Sequence, residues 1–166
     1  MNQELRQDAS KIIDEAIASV QPDAAVRRAL SNIVFSEHVY IVAIGKAGWQ
    51  MTKAAVSYLH EHEIAYEKGI VITKYGHVMG DLPRITCIEA GHPVPDENSF
   101  RGTEAVLSMV KDLTAEDMVL FLVSGGGSAL FEKPKISGEK LSDITEQLLA
   151  SGADIVEMNT IRKRLS

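Results

Sequence analysis

The feature that most constrains this chain is an alternation between two kinds of segment. Short apolar runs rich in β-branched residues occur at 38–44 (HVYIVAI), 69–73 (GIVIT), 84–89 (RITCIE) and 118–123 (MVLFLV). Between them lie stretches whose apolar residues recur at helical spacing. Met51, Ala54, Ala55, Tyr58 and Leu59 mark one, and Val106, Leu107, Val110 and Leu113 mark another over 98–111. The run at 38–44 suits a strand buried on both faces, as in a parallel sheet. Strands alternating with helices imply βαβ units, so the prediction is a largely parallel sheet with helices on both faces.

The ends of the chain extend the pattern. Leu5, Ala9, Ile12, Ile13, Ala16 and Ile17 predict an amphipathic helix over 4–20. Gln21-Pro22-Asp23 breaks it, and Pro22 suits the first turn of a second helix reaching Leu30. Leu141, Ile144, Leu148 and Leu149 mark a later helix that Gly152 is placed to end. Asp154 with Glu157 reads as a capping box for the last helix. In Gly91-His92-Pro93-Val94-Pro95 two prolines forbid helix interior, and Asp96 or Ser99 can cap the helix that follows.

Composition bounds the function classes. A chain of 166 residues, 45% hydrophobic and 24% charged, suits one globular domain. The net charge of −6 argues against nucleic acid or an anionic membrane surface as partner. An anionic substrate would therefore need locally placed cations. Cys87 is the single cysteine, which excludes an intrachain disulfide and a zinc cluster, and it reads as a buried core thiol. The start has no signal-peptide pattern and no apolar run approaches a membrane span, so the expected location is cytoplasmic.

In an open parallel sheet, ligands bind beyond the carboxyl ends of the strands. Two such ends carry unusual residues. In Ile44-Gly45-Lys46-Ala47-Gly48, Gly45 allows a sharp turn, and the next helix is expected to aim free N–H groups at the cleft, where Lys46 adds a full charge. A solvated lysine in a tight turn is the plainer reading, and the position on the rim favours a ligand role. In Val123-Ser124-Gly125-Gly126-Gly127-Ser128, the glycines let backbone amides approach an anion, and Ser124 and Ser128 add hydroxyls.

Three common signatures fail on these residues. The P-loop pattern would need glycine at Tyr40 and Ser or Thr at Ala47. The dinucleotide fingerprint would place its third glycine at Leu130. The hydrolase elbow around Ser128 also needs glycine at Leu130. Elsewhere, His92 reads equally as a loop histidine or a substrate contact, and Asp96 reads as a cap before a catalytic group. Asn159, Arg162 and Lys163 share a helical stripe, either a solvated face or a holder of carboxylate or phosphate.

Together these blocks resemble the glycerate 2-kinase family. Gly45-Lys46-Ala47, GHPVPDENS at 91–99, SGGGSAL at 124–130, and the stretch from Ser151 through Lys163 occur in the family's order. The resemblance implies a three-layer αβα sandwich with a Rossmann-like sheet, forming the N-terminal domain of a longer protein. The family's C-terminal MOFRL domain is expected to be missing from this stretch, and the chain is expected to be truncated after Ser166 and inactive alone. Lys46 is implied as the catalytic lysine. Gly45, Ser124, Gly125, Gly126, Gly127 and Ser128 would bind phosphate, and Asn159, Arg162, Lys163 and His92 the substrate. ATP and Mg²⁺ are the implied cofactors and glycerate the substrate, with no protein metal ligands, no nucleic-acid or membrane partner, and a homodimer left open. A non-catalytic binder of phosphosugars or organic acids, and an NAD(P)H-dependent hydroxypyruvate reductase, are the rival readings. The kinase reading requires that the lysine turn and the glycine turn meet.

Overall fold

The computed structural model describes residues 3–166. Helices α1 (Gln3–Ser19) and α2 (Pro22–Leu30) precede strand β1 (His38–Ile44) and helix α3 (Gly48–Glu61). Strands β2 (Lys68–Lys74) and β3 (Ile85–Ala90) follow, then α4 (Glu97–Val110) and β4 (Asp117–Val123). The chain closes with α5 (Gly127–Leu130), α6 (Gly138–Ala150) and α7 (Ile155–Leu165). The one-turn α5 was not anticipated, since glycines disfavour helix; here the turn closes through Phe131 N–H donating to the Gly127 carbonyl at 2.8 Å.

The four strands are ordered β3-β2-β1-β4 and every pairing is parallel. The chain thus builds outward from β1 through β2 to β3, then returns to the other side of β1 with β4. The reversal of direction lies between β1 and β4, which opens a crevice at their carboxyl ends. The register aligns Ile44 with Val123, so both strands end level with each other.

Alternation along β1 divides the core in two. Val39, Ile41 and Ala43 face a layer made by Val26 and Leu30 of α2 with Trp49, Ala55, Tyr58 and Leu59 of α3. Val42 and Ile44 face the opposite layer, with Ile70, Ile72, Val106 of α4 and Leu130 of α5. The αβα sandwich follows from that alternation. Asp96 caps α4 through the Ser99 amide, and Asp154 caps α7 in a reciprocal box with Glu157. Gly152, at φ +74°, follows the end of α6.

Two departures have physical causes. Arg84 stands outside β3 because it takes a left-handed turn at φ 54°. Cys87 is half-buried rather than fully enclosed, since β3 is an edge strand. The apolar stripe of α1 buries nothing among the described residues: Ile12 is 68% exposed. Likewise β4 buries Leu120 and Leu122 while Val119, Phe121 and Val123 stay open on its other face.

Candidate anion-binding site

The site begins with Gly45. Its φ of +105° lies in the left-handed region, and a Cβ there would strike the side chain and carbonyl of Ser124. This contact lets the two turns join. Ser124 N–H donates to the Ile44 carbonyl at 2.9 Å, and the Ser124 hydroxyl donates to the same oxygen at 3.1 Å. Ser124 Oγ in turn accepts from the Ala47 amide at 3.0 Å, and Lys46 N–H donates to the Gly125 carbonyl at 2.9 Å. The lysine turn and the glycine turn are therefore one hydrogen-bonded unit at the β1/β4 crevice.

This weld corrects one expectation. The amides that lead into α3 do not point freely into the cleft, and only those of Trp49 and Gln50 in its first turn are used by no hydrogen bond among the described residues. Lys46, Ala47 and Gly48 all donate within the unit, the last to the Gly45 carbonyl at 3.0 Å. Geometry gives the reason: two adjacent turns can meet this closely only if each satisfies the other's backbone.

A longer run of free donors belongs to the glycine turn. Among the described residues, no hydrogen bond uses the amides of Gly125, Gly126, Gly127 or Ser128. Successive unpartnered amides with one residue in the left-handed region form a concavity for an anion. Gly126 supplies that conformation at φ +92°. A Cβ on Gly126 would sit 2.8 Å from the His92 ring and 3.4 Å from Cε of Lys46, so both side chains flank this peptide. A Cβ on Gly125 would meet nothing within 4 Å, so that side of the loop is open.

Lys46 is exposed, and its carbonyl is held by Thr73 Oγ1 at 3.4 Å and by His77 Nδ1 at 2.8 Å. Neither Thr73 nor His77 was singled out in the sequence; the signal was their place at and after the carboxyl end of β2. His92 precedes a cis proline, Pro93. Burial lowers the His92 pKa, and the charges of Lys46 and Lys74 lower it further. The imidazole is therefore biased toward its neutral form beside two ammonium groups.

Helix α7 closes one side. A cavity of about 320 Å³ is lined by Ser128, Glu132, Asn159, Arg162 and Lys163 among others. Asn159 is half-buried and Lys163 exposed, while Arg162 is 7% exposed. Arg162 Nη2 donates to Glu132 Oε2 at 2.6 Å and to the Ser128 carbonyl at 2.8 Å. The expectation that Arg162 pairs with a ligand anion thus meets a guanidinium already neutralised by Glu132. Glu132 was missed in the sequence because it lies in the irregular segment after α5, where no periodicity marks it. Among the described residues, no group of three or more His, Cys, Asp or Glu could hold a metal ion.

The family model described as a domain of unknown function, DUF4147, matches residues 8–166. D-glycerate 2-kinase of Thermotoga maritima is 46% identical over 98% of this chain and 38% of its own length. A crystal structure of glycerate kinase from Thermotoga maritima superposes with a TM-score of 0.86, covering 99% of this chain and 39% of that one. A putative hydroxypyruvate reductase of Agrobacterium vitis is 40% identical over 97% of this chain and 36% of its own length. The chain thus spans under two fifths of the length of these curated relatives. The resemblance to glycerate 2-kinases carried by the four sequence blocks is borne out, and the chain belongs to the DUF4147 family.

Proposed function

We propose that this chain is the N-terminal domain of a glycerate 2-kinase, which transfers a phosphoryl group from ATP to the 2-hydroxyl of D-glycerate, giving 2-phosphoglycerate. One observation carries the reading: the unpartnered amides of Gly125–Ser128 lie against the turn that presents Lys46. Phosphoryl transfer is catalysed mainly by positioning and by stabilising charge on the migrating group. The glycine-turn amides would hold phosphate oxygens, and Lys46 would meet the negative charge that builds during transfer. The neutral imidazole of His92 would hydrogen-bond the substrate without adding charge. Asn159 and Lys163 would face the glycerate carboxylate across the α7 cavity, and Arg162 would reach the ligand only through the backbone it grips.

The name of the Thermotoga maritima relative supports this reading at 46% identity. Mg²⁺ belongs to it as the companion of the nucleotide phosphates. The described residues offer that ion no cluster of ligands, so no step is derived through it. No general base is evident among the residues at the two turns.

The name of the Agrobacterium vitis relative supplies the opposing reading. Against it, the glycine turn lacks the third glycine of a dinucleotide fingerprint, at Leu130. The deciding experiment uses a protein of the relatives' full length. Incubation with ATP and D-glycerate should yield 2-phosphoglycerate, detected by coupling to enolase and pyruvate kinase. NADH oxidation with hydroxypyruvate, without phosphoglycerate formation, would establish the reductase instead.

A further inference from the structure

Glu132 and Arg162 are the charged side chains that the fold buries among the described residues, at 4% and 7% exposure. A buried ion pair is weak evidence of stabilisation, because desolvation offsets its attraction. Its placement is more informative. Glu132 follows α5 directly, and its amide donates to Thr103 Oγ1 on α4 at 2.9 Å, which fixes its backbone. The same segment is tied to α7 through Lys135 N–H, which donates to the Leu165 carbonyl at 2.8 Å. Arg162 reaches across from α7 and bridges two acceptors with a single nitrogen, the Glu132 carboxylate and the Ser128 carbonyl. Its Nε is buried and has no partner. A guanidinium that leaves one buried donor unmatched while one nitrogen serves two acceptors is oriented by those acceptors.

We propose that Glu132 is a positioning residue for the anion-binding turn: its carboxylate holds Arg162, and Arg162 holds the carbonyl of Ser128 at the end of the free-amide run. The proposal rests on reading Gly125–Ser128 as the phosphate cradle. Glu132 touches no ligand and acts on the cradle solely by fixing the peptide that follows it. Because Glu132 works through Arg162, the effects of changing the two must not add.

The test uses a protein of the relatives' full length and compares the wild type with E132Q, R162K and the double variant. E132Q keeps an oxygen acceptor and removes the charge; R162K keeps the charge and cannot span both acceptors. Amide hydrogen exchange at Ala129, Leu130 and Phe131, which donate to the Gly126 and Gly127 carbonyls, should quicken about tenfold in each single variant, with β1 and β4 unchanged. ATP binding by calorimetry should weaken about tenfold in each, and the double variant should be no weaker than either single one. Additive losses, or unchanged exchange at those three amides, would overturn the proposal. If E132Q fails to fold, R162K against wild type decides by the same exchange readout. If the wild-type protein shows no ATP binding, the kinase reading fails, and the exchange measurements still decide whether Glu132 positions the turn.

Discussion

At the scale of single residues, two glycines in one turn should behave oppositely. Gly126→Ala places a Cβ in the left-handed region and against the His92 ring. It should lower stability by roughly 1–2 kcal/mol in denaturant unfolding. Gly125→Ala meets nothing within 4 Å and has no positive φ. It should leave stability unchanged while weakening ATP binding, because the methyl group occupies the side from which a phosphate would approach. Lys46→Ala, at an exposed position, should lower kcat/KM by about 10²–10³-fold in a full-length protein with little change in Tm. Near-normal turnover would remove Lys46 from the catalytic role.

His92 gives a pH signature at the same scale. Its folded-state pKa lies below the ordinary 6.5, through burial and then the repulsion of Lys46 and Lys74. The unfolded chain therefore binds this proton more readily than the folded one. The resulting stability is present in full above pH 6.5 and is lost as pH falls through the lower folded value. His92→Gln should flatten that part of the profile of Tm against pH just below 6.5, while the loss at lower pH due to carboxylates persists.

At the scale of elements, helix caps show what pattern reading recovers. The Asp154–Glu157 box was legible, and so was a cap at Asp96 or Ser99, because a short polar side chain three residues before its partner is a local arrangement that needs no distant contact; that Asp96 and Ser99 form a reciprocal box came from the structure. Asp96 does more than cap. Burial alone would raise its pKa, yet hydrogen bonds from Tyr75 and the Gly91 and Ser99 amides outweigh this and lower it. Tyr75 lies in the loop after β2, so Asp96 ties that loop to α4. Asp96→Asn should therefore cost more than Asp154→Asn, whose box is exposed and local, in a comparison of unfolding midpoints. Equal losses would show that the Tyr75 contact adds nothing. The short α5 escaped notice for the converse reason. Its turn exists because the Gly126 and Gly127 carbonyls accept amides from Ala129 to Phe131 over a base fixed by Ile44 and Ser124.

At the scale of the molecule, the open faces of α1 and β4 matter most. A helix with the stripe Leu5, Ile12, Ile13, Ile17 ordinarily covers a core, and here it covers none among the described residues. Replacing Ile12 and Ile17 by Gln should accordingly change the stability of this domain by no more than about 0.5 kcal/mol each. Leu59→Ala, at a fully buried position beneath the sheet, should cost about 2–5 kcal/mol.

Apart from the one-turn α5, the elements, their order along the chain and the parallel sheet were determined by the sequence alone, because periodicity, proline, glycine and cap residues act over a few positions. So were Lys46 and the triple glycine as candidates, since a charge or a glycine run after an apolar strand is a local signal. Tertiary structure decided which amides remain free. The fold consumed those of the lysine turn in joining β1 to β4 and left those of the glycine turn unpaired. It also turned Arg162 inward onto Glu132, thirty residues away in sequence. Both outcomes depend on which segments become neighbours across the strand crossover, and no spacing along the chain encodes a partner that only the folded sheet brings within reach.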